Sequence, residues 1–479
     1  MSVRPLTGKV AYVTGASRGV GRTARPVAVV LALLLATAAC GSRLSHDEHL
    51  SMNNAGRAED HSTADDDTTS GEDTADLAPT DPDTGIAIGG DGTTGGTSTG
   101  GGATGGTVTG GTAGGPTAPS GGAPIRVGMI GNFGGVAGAS FVSARESLKA
   151  WVGMINGKGG INGHRVELLV ADDGNEGTRD LSIAKDFIEN RGVIALVNYY
   201  GAAGGPDAVA NYAQSKGVPI IGGAAFDNTF FRYPITFPQV TGPASFNYAA
   251  ARMMIDKGIK KIAIVYCTEG GVCKENADAF KAAAIQQGLE VVYEAGVSLV
   301  QPDFTAECVA ARDRGATGFF PQVDGGSVNR LSRSCARQGY KPGYFVTAPA
   351  DGPAAELEGA FTALRTFPWF LSSGSPALEE YGAAMKRFAP KVVGNSFTTS
   401  GWMSGKLLEA AARNVSARPT SAELLDGLYA LQDETFGGIS SAISFRRGQT
   451  APDANCAFYV EVRGGKWVAP NGAELVACR

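Results

Sequence analysis

The segment Asn198-Tyr199-Tyr200-Gly201-Ala202-Ala203-Gly204-Gly205 runs directly into Pro206, where a helix is expected to begin. Side chains this small let backbone N–H groups approach an anion, and a helix N-terminus adds a favourable dipole. The chemistry suited to such a segment is capture of a carboxylate. Two further loops, Asn132–Gly135 and Gly222–Asn228, are of the same kind. Across the three, the candidate ligand contacts are Asn132, Phe133, Tyr199, Tyr200, Gly201, Ala202, Ala224 and Phe226. Tyr199, Tyr200 and Phe226 favour a flat or aromatic ligand. Later loops carry Glu269, Asp324 and Asp351, carboxylates suited to pairing with a cation once water is excluded. Each feature also has a local reading: a plain β–α turn for the glycines, core packing for the rings, solvated charge for the acids.

Groups that usually run hydrolysis or bind metals are scarce. The chain has four histidines; His46, His49 and His61 lie in its N-terminal quarter, and His164, after Gly163, reads as a turn residue. Cysteine or serine catalysis and zinc ligation thus lack their usual partner. No catalytic residue, metal site or cofactor is expected.

Seven cysteines are present. With Cys40 set aside, Cys267, Cys273, Cys308, Cys335, Cys456 and Cys478 form an even set, which in an exported chain favours disulfides. Among the possible connectivities the expectation is Cys267–Cys273 across one loop, Cys308–Cys335 between consecutive units and Cys456–Cys478 between terminal segments.

Charge is unevenly placed along the 479 residues. The net value is −5, but residues 125–479 hold 34 basic against 33 acidic side chains. A near-neutral folded part excludes nucleic acid as a partner, because phosphate binding needs a basic face.

The N-terminus carries two signals. Val10–Val13 leads into Thr14-Gly15-Ala16-Ser17-Arg18-Gly19-Val20-Gly21, and residues 6–22 resemble the cofactor loop of short-chain dehydrogenases, where glycines admit a pyrophosphate. That resemblance extends to Asn53-Asn54-Ala55-Gly56 and to Tyr212 with Lys216, which look like the family's catalytic pair. The Asn-Asn-Ala-Gly element follows the loop too closely for a second βαβ unit, and Tyr212 falls on the apolar stripe of a helix. A dehydrogenase is therefore the minor alternative. Arg22 and Arg25 then precede the apolar run Val27–Ala36, and Thr37-Ala38-Ala39 leads to Cys40. This is a secretion signal whose end resembles a bacterial lipobox, with Thr37 where leucine is usual. The resemblance implies a lipid on Cys40 and a membrane anchor, with residues 1 to about 20 a fusion scar or misassigned start. Residues 41–124, first acidic and then Gly/Thr-rich, cannot bury enough apolar surface to fold and read as a disordered tether.

From Ile125 onward, apolar runs alternate with helical patterns. Strands are expected at Ile125–Ile130, Val166–Ala171, Val193–Val197, Val218–Ile221, Lys261–Tyr266, Glu290–Tyr293, Gly318–Pro321 and Tyr344–Thr347, with helices between them. Helices at Leu181–Glu189, Asn276–Gln287, Pro376–Phe388 and Thr399–Arg413 belong to the same reading, and short antiparallel strands at Ile443–Arg446, Ala457–Val462 and Trp467–Val468 close the chain. Strands alternating with helices imply an α/β fold with parallel sheets covered on both faces.

Ala150–His164 (AWVGMINGKGGINGH), Gly217–Gly222 (GVPIIG), Ser421–Leu431 (SAELLDGLYAL) and Gly464–Val468 carry a second, wider resemblance. From Ile125 to the end the chain resembles the type I periplasmic-binding fold, and within it the branched-chain amino-acid (leucine/isoleucine/valine) binding proteins. The resemblance implies two Rossmann-like lobes joined by three crossovers, near Gly242, Leu364–Phe370 and Gly437–Ser440. Lobe 1 would comprise residues 125–242 and 366–438, and lobe 2 residues 243–365 and 439–479. It further implies hinge closure on a small molecule, delivery to the membrane subunits of an ABC importer, and an extracytoplasmic location. A ligand-sensing receptor ectodomain of the same fold is the main alternative. Amino-acid-binding relatives place Ser and Thr hydroxyls where this chain has Ala202–Gly205 and Gly223–Phe226, so the ligand class is widened to related carboxylates, aromatic ones included. Asp351 matches the position that holds an ammonium group in that family.

Overall fold

The computed structural model describes residues 121–351, 357–453 and 456–476. The dehydrogenase-like loop, the signal, Cys40, the tether up to residue 120 and Cys478 lie outside the described residues.

Two α/β lobes are built on two parallel sheets. The first begins with β1 (Ile125–Gly131), α1 (Val142–Gly157), β2 (Val166–Asp172), α2 (Gly177–Lys185), β3 (Ala195–Tyr199), α3 (Pro206–Lys216), β4 (Ile220–Gly223) and β5 (Thr236–Phe237). Its strands lie in the order β2-β1-β3-β4-β5. β1 and β3 are covered on both faces, which is why they read as unbroken apolar runs. The second lobe continues with α4 (Pro243–Asp256), β6 (Lys261–Cys267), α5 (Gly271–Gln286), β7 (Glu290–Val297), α6 (Thr305–Asp313), β8 (Gly318–Gln322), α7 (Gly325–Arg337) and β9 (Gly343–Tyr344). These strands run in the order β7-β6-β8-β9. β10 (Phe361–Leu364) bridges Phe345 and pairs antiparallel with a later strand. Helices α8 (Pro376–Phe388), α9 (Ser396–Ala411) and α10 (Ser421–Tyr429) follow, and α8 and α9 pack back on α1. The chain ends on β11 (Ala457–Arg463), the strand paired with β10, β12 (Lys466–Val468) and β13 (Leu475–Val476).

The three chain crossings meet one another. Arg365 donates to the Thr241 carbonyl at 3.1 Å. The Thr241 hydroxyl donates to the Cys456 carbonyl at 2.5 Å, which also accepts from the Ser441 hydroxyl at 3.1 Å. Asp453 caps α4 by accepting from Gly242 N at 2.7 Å and Ser245 N at 2.8 Å. Polar ties of this kind constrain the crossings, while buried apolar side chains of both lobes join in one continuous cluster.

Several expected elements shift. β3 runs to Tyr199 rather than stopping at Val197, so the Asn198–Gly205 segment begins inside a strand. α5 starts at Gly271, five residues before the expected Asn276, and its first turn carries Cys273. The Cys267–Cys273 disulfide fixes that turn, outweighing the breaker signal of Gly270-Gly271. The first pass of α2 ends at Lys185, where a π-helical turn, Asp186–Asn190, completes it. β7 extends to Val297, and β9 ends at Tyr344 because Phe345 turns to bridge Phe361. Ile443–Arg446 is no strand: Ile443 makes one bridge to Glu434, and Ser444 instead donates to the Asp433 carboxylate at 3.1 Å.

The expected Cys267–Cys273 and Cys308–Cys335 disulfides are both present. Cys456 is disulfide-bonded as well, while Cys478, its expected partner, lies outside the described residues. The described residues include a short segment before Ile125. Ala123 N donates to the Ala417 carbonyl at 3.0 Å, and its own carbonyl is 2.7 Å from His164 Nδ1. His164 occupies a tight turn as expected, but it is buried and secures the point where the preceding segment enters the fold.

Candidate functional site

The carboxyl ends of β1, β3 and β4 bring the first-lobe candidates together. Asn198 initiates the arrangement: its backbone is left-handed, φ 59°, a conformation asparagine tolerates better than most residues. Its buried amide donates to the Ala144 carbonyl at 3.1 Å and accepts from the Ser404 hydroxyl at 3.2 Å. Asn198→Ala removes both bonds and strains the backbone, whereas Asn198→Gly removes the bonds alone. Melting temperatures should fall in the order wild type, Gly, Ala, the alanine variant losing roughly 2–3 kcal/mol. Equal melting of the two variants would show that the backbone conformation costs nothing.

Beyond this kink the two tyrosines diverge. The Tyr199 hydroxyl donates to Asp180 Oδ2 at 3.0 Å, and the Tyr200 hydroxyl donates to Ser400 Oγ at 2.9 Å. Burial pushes both phenols well above their ordinary range, so both stay protonated. Tyr200 belongs to a four-ring cluster with Phe141, Phe226 and Phe397, whose centroids lie between 4.8 and 6.5 Å apart. Tyr200 is 1% exposed, while Phe141, Phe226 and Phe397 are half-buried and keep ring surface at the strand tips. Under the rings, Gln239 Nε2 donates to Ser400 Oγ at 2.5 Å, and its oxygen accepts from Gly223 N at 3.0 Å. This floor is polar but satisfied, and the face above it is aromatic.

The other candidates have clear local partners. Asn132 donates to Asn175 Oδ1 at 2.9 Å, and Phe133 lies under the Arg145 guanidinium at 5.0 Å. Gly201 makes room for the Tyr199 hydroxyl and the Asp180 carboxyl beneath it. The Ala202 N–H donates to Asp173 Oδ2 at 3.0 Å, and the Ala224 N–H donates to the Tyr199 carbonyl at 2.9 Å. Two backbone donors expected to face an anion are thus engaged by the protein itself.

Second-lobe acids form a different picture. Glu269 accepts from the Ser298 hydroxyl at 2.6 Å and Leu299 N at 2.7 Å. Asp324 is the N-cap of α7, accepting from Gly326 N at 2.8 Å and Ser327 N at 3.1 Å. Arg330 links the two by donating to the Leu299 carbonyl at 2.6 Å and the Ser327 hydroxyl at 2.8 Å. Asp351 accepts from Trp369 Nε1 at 2.9 Å, and its N–H donates to the Gly394 carbonyl at 2.8 Å.

The lobes touch through these tips. Asn228, beyond β4, donates to Glu275, just past the first turn of α5, at 2.5 Å. Ala350 bridges Asn395, the N-cap of α9. Phe141, Phe397, Ser400 and Gln239 were not among the sequence candidates. Phe397 arrives from a distant helix start and has no local signal, whereas Phe141 lies just past the β1 loop and was within reach. Tyr212 and Lys216 are on the outer face of α3, both bonded to Glu189, at 2.9 and 2.8 Å. Tyr212 is half-buried rather than a core residue.

Residues 124–466 match the periplasmic binding protein family. The chain belongs to the periplasmic binding protein family. A Leu/Ile/Val-binding protein homolog from Brucella abortus is 28% identical over 309 residues, covering 60% of this chain and 76% of the relative. The solved structure of a possible leucine/isoleucine/valine-binding protein from Rhodopirellula baltica superposes with a TM-score of 0.63 at 15% identity, covering 75% of this chain and 99% of its own. A solute-binding protein of an ABC transporter from R. palustris, in complex with benzoate, has a TM-score of 0.59 at 17% identity, covering 74% and 97%. As a periplasmic binding protein the chain binds a small solute outside the cytoplasm. The sequence expectation of an α/β, two-lobed fold with parallel sheets holds.

Proposed function

We propose that this periplasmic binding protein captures a small carboxylate with a flat or otherwise apolar body, an amino acid or an aromatic acid, and delivers it to the membrane subunits of an ABC importer. Residues 125–242 with 366–438 act as one lobe and 243–365 with 439–479 as the other, closing about the crossings tied by Thr241, Arg365 and Ser441. The ring cluster of Phe141, Tyr200, Phe226 and Phe397 carries the reading, because half-buried aromatic faces at strand tips favour an apolar ligand body. Its carboxylate would lie toward the N-terminus of α3, where the dipole favours an anion, with Asp351 the second-lobe acid for an ammonium group. Glu269 and Asp324 brace the second-lobe tips. The reading includes no catalytic step, a cleaved signal, and a lipid on Cys40 as the membrane anchor.

Titration calorimetry of the purified protein with benzoate and L-isoleucine tests the ligand class. At least one should bind, and Phe397→Ala should weaken it about tenfold or more, as loss of a stacking ring implies. Absence of binding by any small carboxylate, or turnover of a nicotinamide cofactor, removes the reading.

A further inference from the structure

Two acids lie beneath the Tyr199–Gly205 loop. Asp173 and Asp180 are both 0% exposed. Asp173 accepts from Ala202 N at 3.0 Å and from Asn175 N at 2.6 Å, and its own N–H donates to the Gly131 carbonyl at 3.1 Å. Asn175 in turn accepts from Asn132. One hydrogen-bonded chain therefore joins the tips of β1, β2 and β3. Asp180 accepts from the Tyr199 hydroxyl, and a Cβ at Gly201 or Gly205 would overlap the Asp180 carboxyl. Those glycines are needed by the acid below the loop, whatever lies above it.

We infer that Asp173 and Asp180 are positioning residues: Asp173, through the Ala202 N–H, and Asp180, through the Tyr199 hydroxyl and the packing of Gly201 and Gly205 upon it, hold the Tyr199–Gly205 loop in its ligand-binding shape. The inference rests on that loop belonging to the ligand site. Both acids are fully buried, and the charge of one disfavours ionisation of the other. Burial, then the charge of Asp173, pushes Asp180 up to about 8, and burial raises Asp173 as well. Asp172 adds repulsion at Asp173, and Asp227 faces Tyr199. Because the folded value of Asp180 lies above its unfolded one, its protonation stabilises the fold fully below about pH 4. That contribution is lost as pH rises through about 8.

Asparagine at 180 keeps an acceptor for Tyr199 and replaces the acidic proton by an amide N–H directed at Asp173. Hydrogen exchange of residues 199–205 and benzoate titration should be compared at pH 6 and pH 9 for the full chain, D180N and D180A. Wild type should lose affinity by about threefold or more from pH 6 to pH 9, while D180N holds its pH 6 affinity at both. D180A should lose about tenfold at both, with loop exchange about tenfold faster than wild type at the same pH. Unchanged loop exchange in D180A, or a D180N variant as impaired as D180A at pH 6, overturns the assignment. If D180A does not fold, the wild-type and D180N pH profiles decide. If benzoate does not bind wild type, L-isoleucine replaces it in the titration; if neither binds, the ligand reading fails separately, and the exchange comparison still judges the pair.

Discussion

Gly401→Ala should destabilise the protein by about 1–2 kcal/mol, although the residue lies inside a helix where alanine normally gains about 1 kcal/mol over glycine. The reason is the contact between α1 and α9. A Cβ at Gly401 would overlap the carbonyl oxygen of Ala144, a backbone atom that can yield only if all of α1 moves. One turn on, a Cβ at Gly405 would press into the buried Trp151 ring. Inserting volume into a packed contact of this kind costs roughly 1–3 kcal/mol, occasionally more, and here it exceeds the helix gain. Gly157 provides the control: it ends the same α1, nothing lies within 4 Å of its Cβ position, and Gly157→Ala should be neutral or stabilising. Paired urea melts distinguish the two cases, and similar midpoints for both variants would remove the steric argument.

The displaced atom also matters to the site. The Ala144 carbonyl accepts from Asn198, the kinked residue that separates Tyr199 from Tyr200. Ser400 and Ser404, flanking Gly401 on α9, hold the Tyr200 hydroxyl and the Asn198 side chain. Spreading α1 from α9 should therefore weaken ligand binding as well as stability. A stable variant with reduced affinity would place the coupling in these hydrogen bonds.

How much of this was legible depends on whether a residue's role is local. The parallel sheets were legible because β1, β3, β6 and β8 are covered on both faces and spell apolar runs bounded by glycine. Tyr200 and Phe226 were legible as site candidates because strand ends followed by small residues mark the tips of an α/β sheet. Half of the ring cluster was not, since Phe397 is an ordinary first-turn residue until α9 docks on α1. Asp324 reads from its loop as a carboxylate for a cation, yet it precedes Gly325-Gly326-Ser327 and a helix, the pattern of the N-cap it forms. Nothing in β2 or α2 announces Asp173 and Asp180, because their partners lie in a loop 29 and 19 residues onward. The ties among Thr241, Arg365 and Ser441 are long-range for the same reason: each is a polar residue in a crossing, and only the closed topology makes them neighbours.

The disulfides separate a stability effect from a site effect. Cys308 and Cys335 are each 0% exposed and close a span of 27 residues between α6 and α7. Constraining the unfolded chain over that span is worth about 3.5 kcal/mol, so the Cys308→Ala/Cys335→Ala pair should show the larger loss of stability. For Cys267–Cys273 the span is 6 residues and the same reasoning gives about 2 kcal/mol. Of these two bonds it is also the more accessible, because Cys273 is only half-buried on the first turn of α5. Thiolate attack needs access, so mild reductant should open Cys267–Cys273 first and leave Cys308–Cys335 intact until the lobe unfolds. The opened loop carries Glu269, which holds Ser298 and Leu299, and it leads into the turn bearing Glu275, which accepts from Asn228 across the lobes. Partial reduction should therefore lower ligand affinity severalfold with a small shift in melting, while loss of the buried bond lowers the melting point with affinity nearly kept at low temperature. Mass-resolved alkylation after graded reduction, run beside a ligand titration, checks both. If the buried pair is reduced first, or if opening the loop leaves affinity unchanged, the first turn of α5 has no part in holding the cleft.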